Sequence, residues 1–115
     1  MVQKIDYIEL PADDFAAVEA FYSSVFGWSF TDFGPNYRAF SDGRLDGGFT
    51  KSSLRSETNS GAALVVIYAD DLEAVRDRVL SSGGSVCKQI FSFPGGRRFQ
   101  FRDPHGNELA VWSQR

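Results

Sequence analysis

The second half of this chain is a rewrite of its first half, and that repeat narrows the possible folds more than any other feature. Ala12-Asp13-Asp14-Phe15-Ala16-Ala17-Val18 returns 57 positions later as Ala69-Asp70-Asp71-Leu72-Glu73-Ala74-Val75. Five of those seven positions are identical and Phe15/Leu72 is an apolar exchange; Ser24 and Gly27 recur at the same offset as Ser81 and Gly84. A period of half the chain means two copies of one supersecondary unit. Any site at the junction of the copies is then built from pairs of equivalent positions.

The pattern within each copy gives its order of elements. Residues 3–10 mix apolar and polar positions as a half-buried strand does, with Ile8 and Leu10 on one face and Tyr7 and Glu9 on the other. Asp13 or Asp14 then caps a helix whose stripe is Phe15, Val18, Tyr22 and Val25, and Gly27 ends it. Short strands at 29–33, 37–41 and 47–51 follow, separated by turns at Gly34-Pro35-Asn36 and Ser41-Asp42-Gly43. The second copy repeats this: a strand at 62–68, then a helix capped by Asp70, with Glu73 completing a capping box and Leu72, Val75 and Val79 as its stripe. Gly83-Gly84 closes that helix, and strands near 86–91, 97–102 and 108–113 complete the copy. Each half reads βαβββ. The expected class is α+β, two such modules forming a cupped mixed sheet with helices on its outer face. Module one covers about 1–51, a polar Ser-rich linker about 52–60, and module two about 61–115.

A chain of 115 residues is one domain. Its formal net charge of -3, with no long run of one sign, argues against nucleic acid as a partner. No apolar run approaches the roughly 20 residues of a membrane span, and the N-terminus lacks a signal-peptide pattern, so the expected location is cytoplasmic with no membrane partner. The lone Cys87 has no disulfide mate; with no base beside it, it reads as a small buried residue. His105, the only imidazole, reads as a solvated turn residue.

The module order, the stretch Phe21-Tyr22-x-x-Val25-Phe26-Gly27-Trp28 and the turn Asp103-Pro104-His105-Gly106-Asn107 before the last strand together resemble the vicinal oxygen chelate superfamily. That group holds glyoxalases, bleomycin-resistance proteins and extradiol dioxygenases. The resemblance covers essentially the whole chain. It implies a cup in which one residue from each of four strands holds a divalent metal, and dimers that pair modules across chains. Carried over one at a time, the metal positions fall on Tyr7, on or beside Gly47, on Leu64 and on Ala110. Divalent cations in such sites want imidazole or carboxylate donors, so no metal and no other cofactor is expected.

Strand parity places Tyr7, Glu9, Leu64, Val66, Tyr68, Glu108, Ala110 and Trp112 on the inner face, with Phe49 a further candidate. The expected ligand-binding set is therefore Tyr7, Glu9, Phe49, Leu64, Tyr68, Glu108 and Trp112. Glu9 and Glu108 are the candidates for acid/base work, set against the plainer reading that they are solvated or paired with arginine. Arg98, Gln100 and Arg102 share one strand face; facing inward they would bind an anion. The eleven Phe, four Tyr and two Trp offer aromatic walls for a flat organic molecule. The reading that results is a metal-free, homodimeric small-molecule binder that sequesters an aromatic or polycyclic compound. The alternatives are a lyase or dioxygenase with displaced metal or carboxylate chemistry, and an auxiliary interaction protein.

Overall fold

Two parallel strands cannot be joined by a tight turn, and each module solves this by crossing over through a helix. In the computed structural model, which describes residues 1–115, module one runs β1 (Tyr7–Ala12), α1 (Phe15–Phe26), β2 (Ser29–Asp32), β3 (Tyr37–Ser41), β4 (Asp46–Lys51). Module two runs β5 (Val65–Tyr68), α2 (Leu72–Ser81), β6 (Ser85–Phe93), β7 (Gly96–Arg102), β8 (Glu108–Ser113). Each forms its own four-stranded mixed sheet, in the orders β1-β4-β3-β2 and β5-β8-β7-β6. The first and last strands of a module pair in parallel, and the others are antiparallel.

The helix signals hold with one correction. Asp14 caps α1, its Oδ1 accepting the Ala17 N–H at 3.1 Å, and Gly27 ends the helix at φ 74°, a left-handed conformation that suits glycine. The cap of α2 is Asp71, whose Oδ1 accepts the Ala74 N–H; Asp70 stands one residue too early. No capping box forms, because the Glu73 carboxylate is drawn to Arg97 at 2.6 Å across the face of its sheet. Asp71 is also the repeat equivalent of Asp14, so the offset of 57 places the cap correctly where the box pattern does not.

One hydrophobic cluster joins the two modules. Leu10, Phe40 and Phe49 of the first sheet, the stripes of α1 and α2, and Phe99, Phe101, Leu109 and Val111 of the second sheet all belong to it. Helix α1 touches both sheets: the Tyr22 ring lies 5.6 Å from Phe49, and the Phe21 ring 5.8 Å from Phe101. Trp28 is stacked between Tyr22 at 4.5 Å and Phe40 at 4.6 Å. Gly84 is required for this closeness, since a Cβ there would lie 2.7 Å from Phe21. The helix-facing sides of both sheets therefore share one core. Their helix-free faces look away from it, and a single chain does not bring those two faces together.

The turn before β8 locks the modules to each other. Asp103 is 4% exposed and accepts three backbone N–H bonds, from His105, Gly106 and Asn107, plus the Tyr22 hydroxyl at 2.8 Å. Burial raises its carboxyl above the ordinary value against the pull of those bonds. Asn107 completes the joint through Nδ2 to the Pro11 carbonyl at 2.7 Å. His105 is half-buried rather than a solvated turn residue. Its Nδ1 accepts the Asp13 N–H, so Nε2 carries the proton and donates to the Leu54 carbonyl at 2.6 Å. The linker is likewise held down: Ser56 N–H donates to Asn107 Oδ1, and a 3-10 turn spans Thr58–Ser60.

Candidate functional site

The strand registers fix which side chains share each helix-free face. On the first sheet, Tyr7 pairs with Asp46 and Glu9 with Gly48, while Tyr37 pairs with Thr50 on the same face. Tyr7 is 44% exposed and its hydroxyl lies 2.5 Å from that of Tyr37. Gly48 makes the pair possible, because any Cβ there would collide with the Tyr37 ring and hydroxyl. Partial burial and bonding to Tyr7 and Glu9 raise the Tyr37 phenol well above its usual range, so it keeps its proton. Glu9 is exposed and has no cation within ion-pair distance. Tyr37 is a residue sequence reading missed; the signal was the bare Gly48 across the strand.

Phe49 does not belong to this face. Register with Leu10 turns it to the helix side, where it is fully buried against Tyr22 and Phe40. The two glycines before it had left its parity open. Its place among the candidate ligand residues is corrected on that ground.

On the second sheet, Glu108, Ala110 and Trp112 share a face with Arg102, Gln100 and Arg98, their respective partners on β7. The question left open by the sequence is thus answered: Arg98 and Arg102 lie on the helix-free face, and Phe99 and Phe101 fill the core. Tyr68, 42% exposed, meets the Trp112 ring edge-on at 4.9 Å, and Phe93 stands 6.3 Å from it. Leu64 lies half-buried, one residue before β5. Glu108 is only 7% exposed and both its oxygens are engaged. Oε1 accepts the Thr58 N–H and hydroxyl, each at 2.9 Å, and Oε2 accepts Gln100 Nε2 at 2.5 Å. Burial pushes its carboxyl up, but Thr58, Gln100 and the Arg102 charge together pull it below the ordinary value. It is a fixed, ionised acceptor that holds the linker. Cys87 on β6 is exposed rather than buried; its thiol is raised by partial desolvation and then by Glu108, the opposite of an activated nucleophile.

The metal implied by the fold does not fit these residues. Tyr7 offers a phenol already bonded to Tyr37, the cradle beside Gly48 is filled by that same side chain, and Leu64 and Ala110 have no donor. No three of His, Cys, Asp or Glu come together anywhere in the chain. Moreover, Tyr7 lies on the helix-free face of the first sheet and Ala110 on that of the second, while Gly47 faces the core beside Phe40.

One cavity was not foreseen. A cleft of about 530 Å³ opens between the edge strands β1 and β5, walled by Ile8, Leu10, Val65 and Ile67, with Phe26 and Trp28 behind. Exposed Asp42 and Arg44 stand beside it, and Val66 and Tyr68 reach it from the second sheet. It lies where both sheets end and the shared core lacks a wall. Strand parity alone cannot show such a gap, because it depends on how the two modules dock.

Comparison with known proteins places this architecture. A family model described as Glyoxalase/Bleomycin resistance protein/Dioxygenase superfamily matches residues 4–111. The chain is 31% identical over 124 residues to the anthracycline biosynthesis protein DnrV of Streptomyces peucetius, an alignment covering 92% of this chain and 45% of that protein. It is 26% identical to the putative glyoxylase CFP32 of Mycobacterium bovis, covering 93% and 44%. The chain thus spans less than half the length of these relatives. Among solved structures, the lactoylglutathione lyase of Agrobacterium tumefaciens is similar with a TM-score of 0.73 and 27% identity, covering 97% of this chain and 94% of that one. A family protein from Burkholderia phytofirmans PsJN shares the fold, with a TM-score of 0.77 at 18% identity, covering 96% and 98%.

Proposed function

The chain belongs to the glyoxalase/bleomycin resistance protein/dioxygenase superfamily, and we propose that within it this protein binds and sequesters a small aromatic or polycyclic organic molecule without a divalent metal. The observation that carries the reading is the pairing of a non-ligating set at Tyr7, Gly47, Leu64 and Ala110 with a half-exposed aromatic wall, Tyr68 and Trp112, on the same face as Ala110. Aromatic walls with a few fixed polar groups suit flat, partly polar ligands. Similarity to proteins named for anthracycline biosynthesis supports that choice, since anthracyclines are polycyclic. A glyoxalase-like lyase, favoured by the likeness to a lactoylglutathione lyase, would need a donor set that these positions do not provide.

The working unit of this proposal is a homodimer. β1 and β5 are both edge strands, and the apolar cleft lies between them, with Tyr7, Val66 and Tyr68 each more than 40% exposed nearby. Free sheet edges beside apolar surface favour pairing with another chain. A second copy across this seam would cover the cleft and set the helix-free face of one first sheet against that of the partner's second sheet. The reading is tested by a thermal-shift screen of flat organic compounds on protein whose metal content is measured in parallel. Stabilising hits on protein with substoichiometric metal support it. Stoichiometric, chelator-sensitive metal required for every hit would overturn it.

A further inference from the structure

Most cations of the second module are held: Arg78 donates to the Val25 carbonyl, and four arginines form ion pairs. Arg97 pairs with Glu73, Arg102 with Glu57, Arg76 with Asp77 and Arg115 with Asp70. Arg98 and Lys88 have no carboxylate within 4 Å, and both stand over the same ring, Phe91, at 5.2 and 4.5 Å from its centroid. A chain with a formal charge of -3 thus concentrates two uncompensated positive charges at one end of a helix-free face, beside Trp112.

The guanidinium is also short of acceptors. Its one hydrogen bond within the chain is a long contact of 3.4 Å to Gln100 Oε1, and its Nε is buried with no partner. Gln100 cannot turn to do better, because its Nε2 is committed to Glu108, which Thr58 holds in turn. The relay from Thr58 through Glu108 and Gln100 fixes the amide so that its oxygen faces Arg98. A preoriented planar donor next to a half-buried indole is the arrangement that recognises a carboxylate attached to a flat ring.

We propose that this corner is an anion subsite: Arg98, supported by Lys88, binds the carboxylate of an aromatic acid whose ring lies against Trp112 and Tyr68. The inference rests on the ligand-binding reading above and narrows its ligand class to aromatic or polycyclic carboxylic acids. A matched pair of probes tests it, 2-naphthoate and the uncharged 2-naphthamide, followed by quenching of Trp112 with buried Trp28 as the internal reference. A charge-assisted pair should favour the acid by about tenfold or more at low salt, with the margin shrinking as sodium chloride screens it. Arg98→Gln should erase that preference while naphthamide affinity and melting temperature stay as they were, and Arg98→Lys should restore part of it. Equal affinity for acid and amide in the unaltered protein would overturn the subsite while leaving the ligand-binding reading standing. Failure of both probes to bind would count against the two together.

Discussion

Trp112 and Phe15 show how aromatic side chains divide between binding and stability. Trp112 is half-exposed on a helix-free face, with Tyr68 edge-on to it, whereas Phe15 is 7% exposed in the core at the start of α1. Truncating a ring that becomes desolvated on binding costs about 2 kcal/mol or more, roughly 30-fold in affinity. Trp112→Ala should therefore weaken every ligand by at least that much, measured by calorimetry, with little change in melting temperature. Phe15→Ala should instead cost about 3 kcal/mol of stability through the cavity it leaves. Unchanged ligand affinity in Trp112→Ala would move the site off this face. A second residue-scale outcome concerns Glu73, whose carboxyl is held at about 2, first by the Arg97 hydrogen bond. A folded value below the unfolded one stabilises the native state fully above about 4.5, and this contribution is lost as pH falls from there toward 2. The carboxyl resonance of Glu73 should titrate near 2, and Glu73→Gln should lower stability at pH 7 but not at pH 2. A midpoint near 4.5 would mean that the ion pair does not persist in solution.

The elements were written most clearly where a local rule and the repeat agree. The stripe Phe15, Val18, Tyr22 and Val25, the cap at Asp14 and the stop at Gly27 all act within one helix, so pattern alone finds them. The cap of α2 went astray because Glu73 satisfies a capping-box spacing from Asp70, yet a stronger partner, Arg97 on β7, takes its carboxylate. Asp71→Ala should accordingly cost about 1 kcal/mol in chemical denaturation, and Asp70→Ala much less. Equal losses would return the cap to Asp70. Parity separated the expected inner-face residues Tyr7, Glu9, Tyr68, Glu108 and Trp112 from the helix side, since their strands have unbroken registers, but they lie on two sheets rather than in one cup. It failed at Phe49, after two glycines, and it could not see Tyr37 enter the space above Gly48. Nor could it show Glu108 turned into a fixed acceptor, because that role comes from Thr58 in a linker with no periodicity.

At the scale of the molecule, the repeat foretold two βαβββ modules, but not that they dock through one core with their helix-free faces apart. That docking depends on contacts such as Phe21 with Phe101 and Tyr22 with Asp103, about 80 residues apart, for which one sequence carries no pairing signal. It makes a single chain an incomplete version of the proposed site. Light scattering at micromolar concentration should give twice the mass of one 12.8 kDa chain, and a charge on the seam, Val66→Glu, should shift it toward one; a monomer in the unaltered protein would remove the dimer from the account. Binding of a flat organic molecule without a divalent metal is decided by calorimetric titration of a screening hit into chelator-stripped protein. Binding should saturate with the same affinity before stripping, after stripping and after adding back Zn, Ni, Mn or Fe(II). Binding that vanishes on stripping and returns with one of those metals would contradict it.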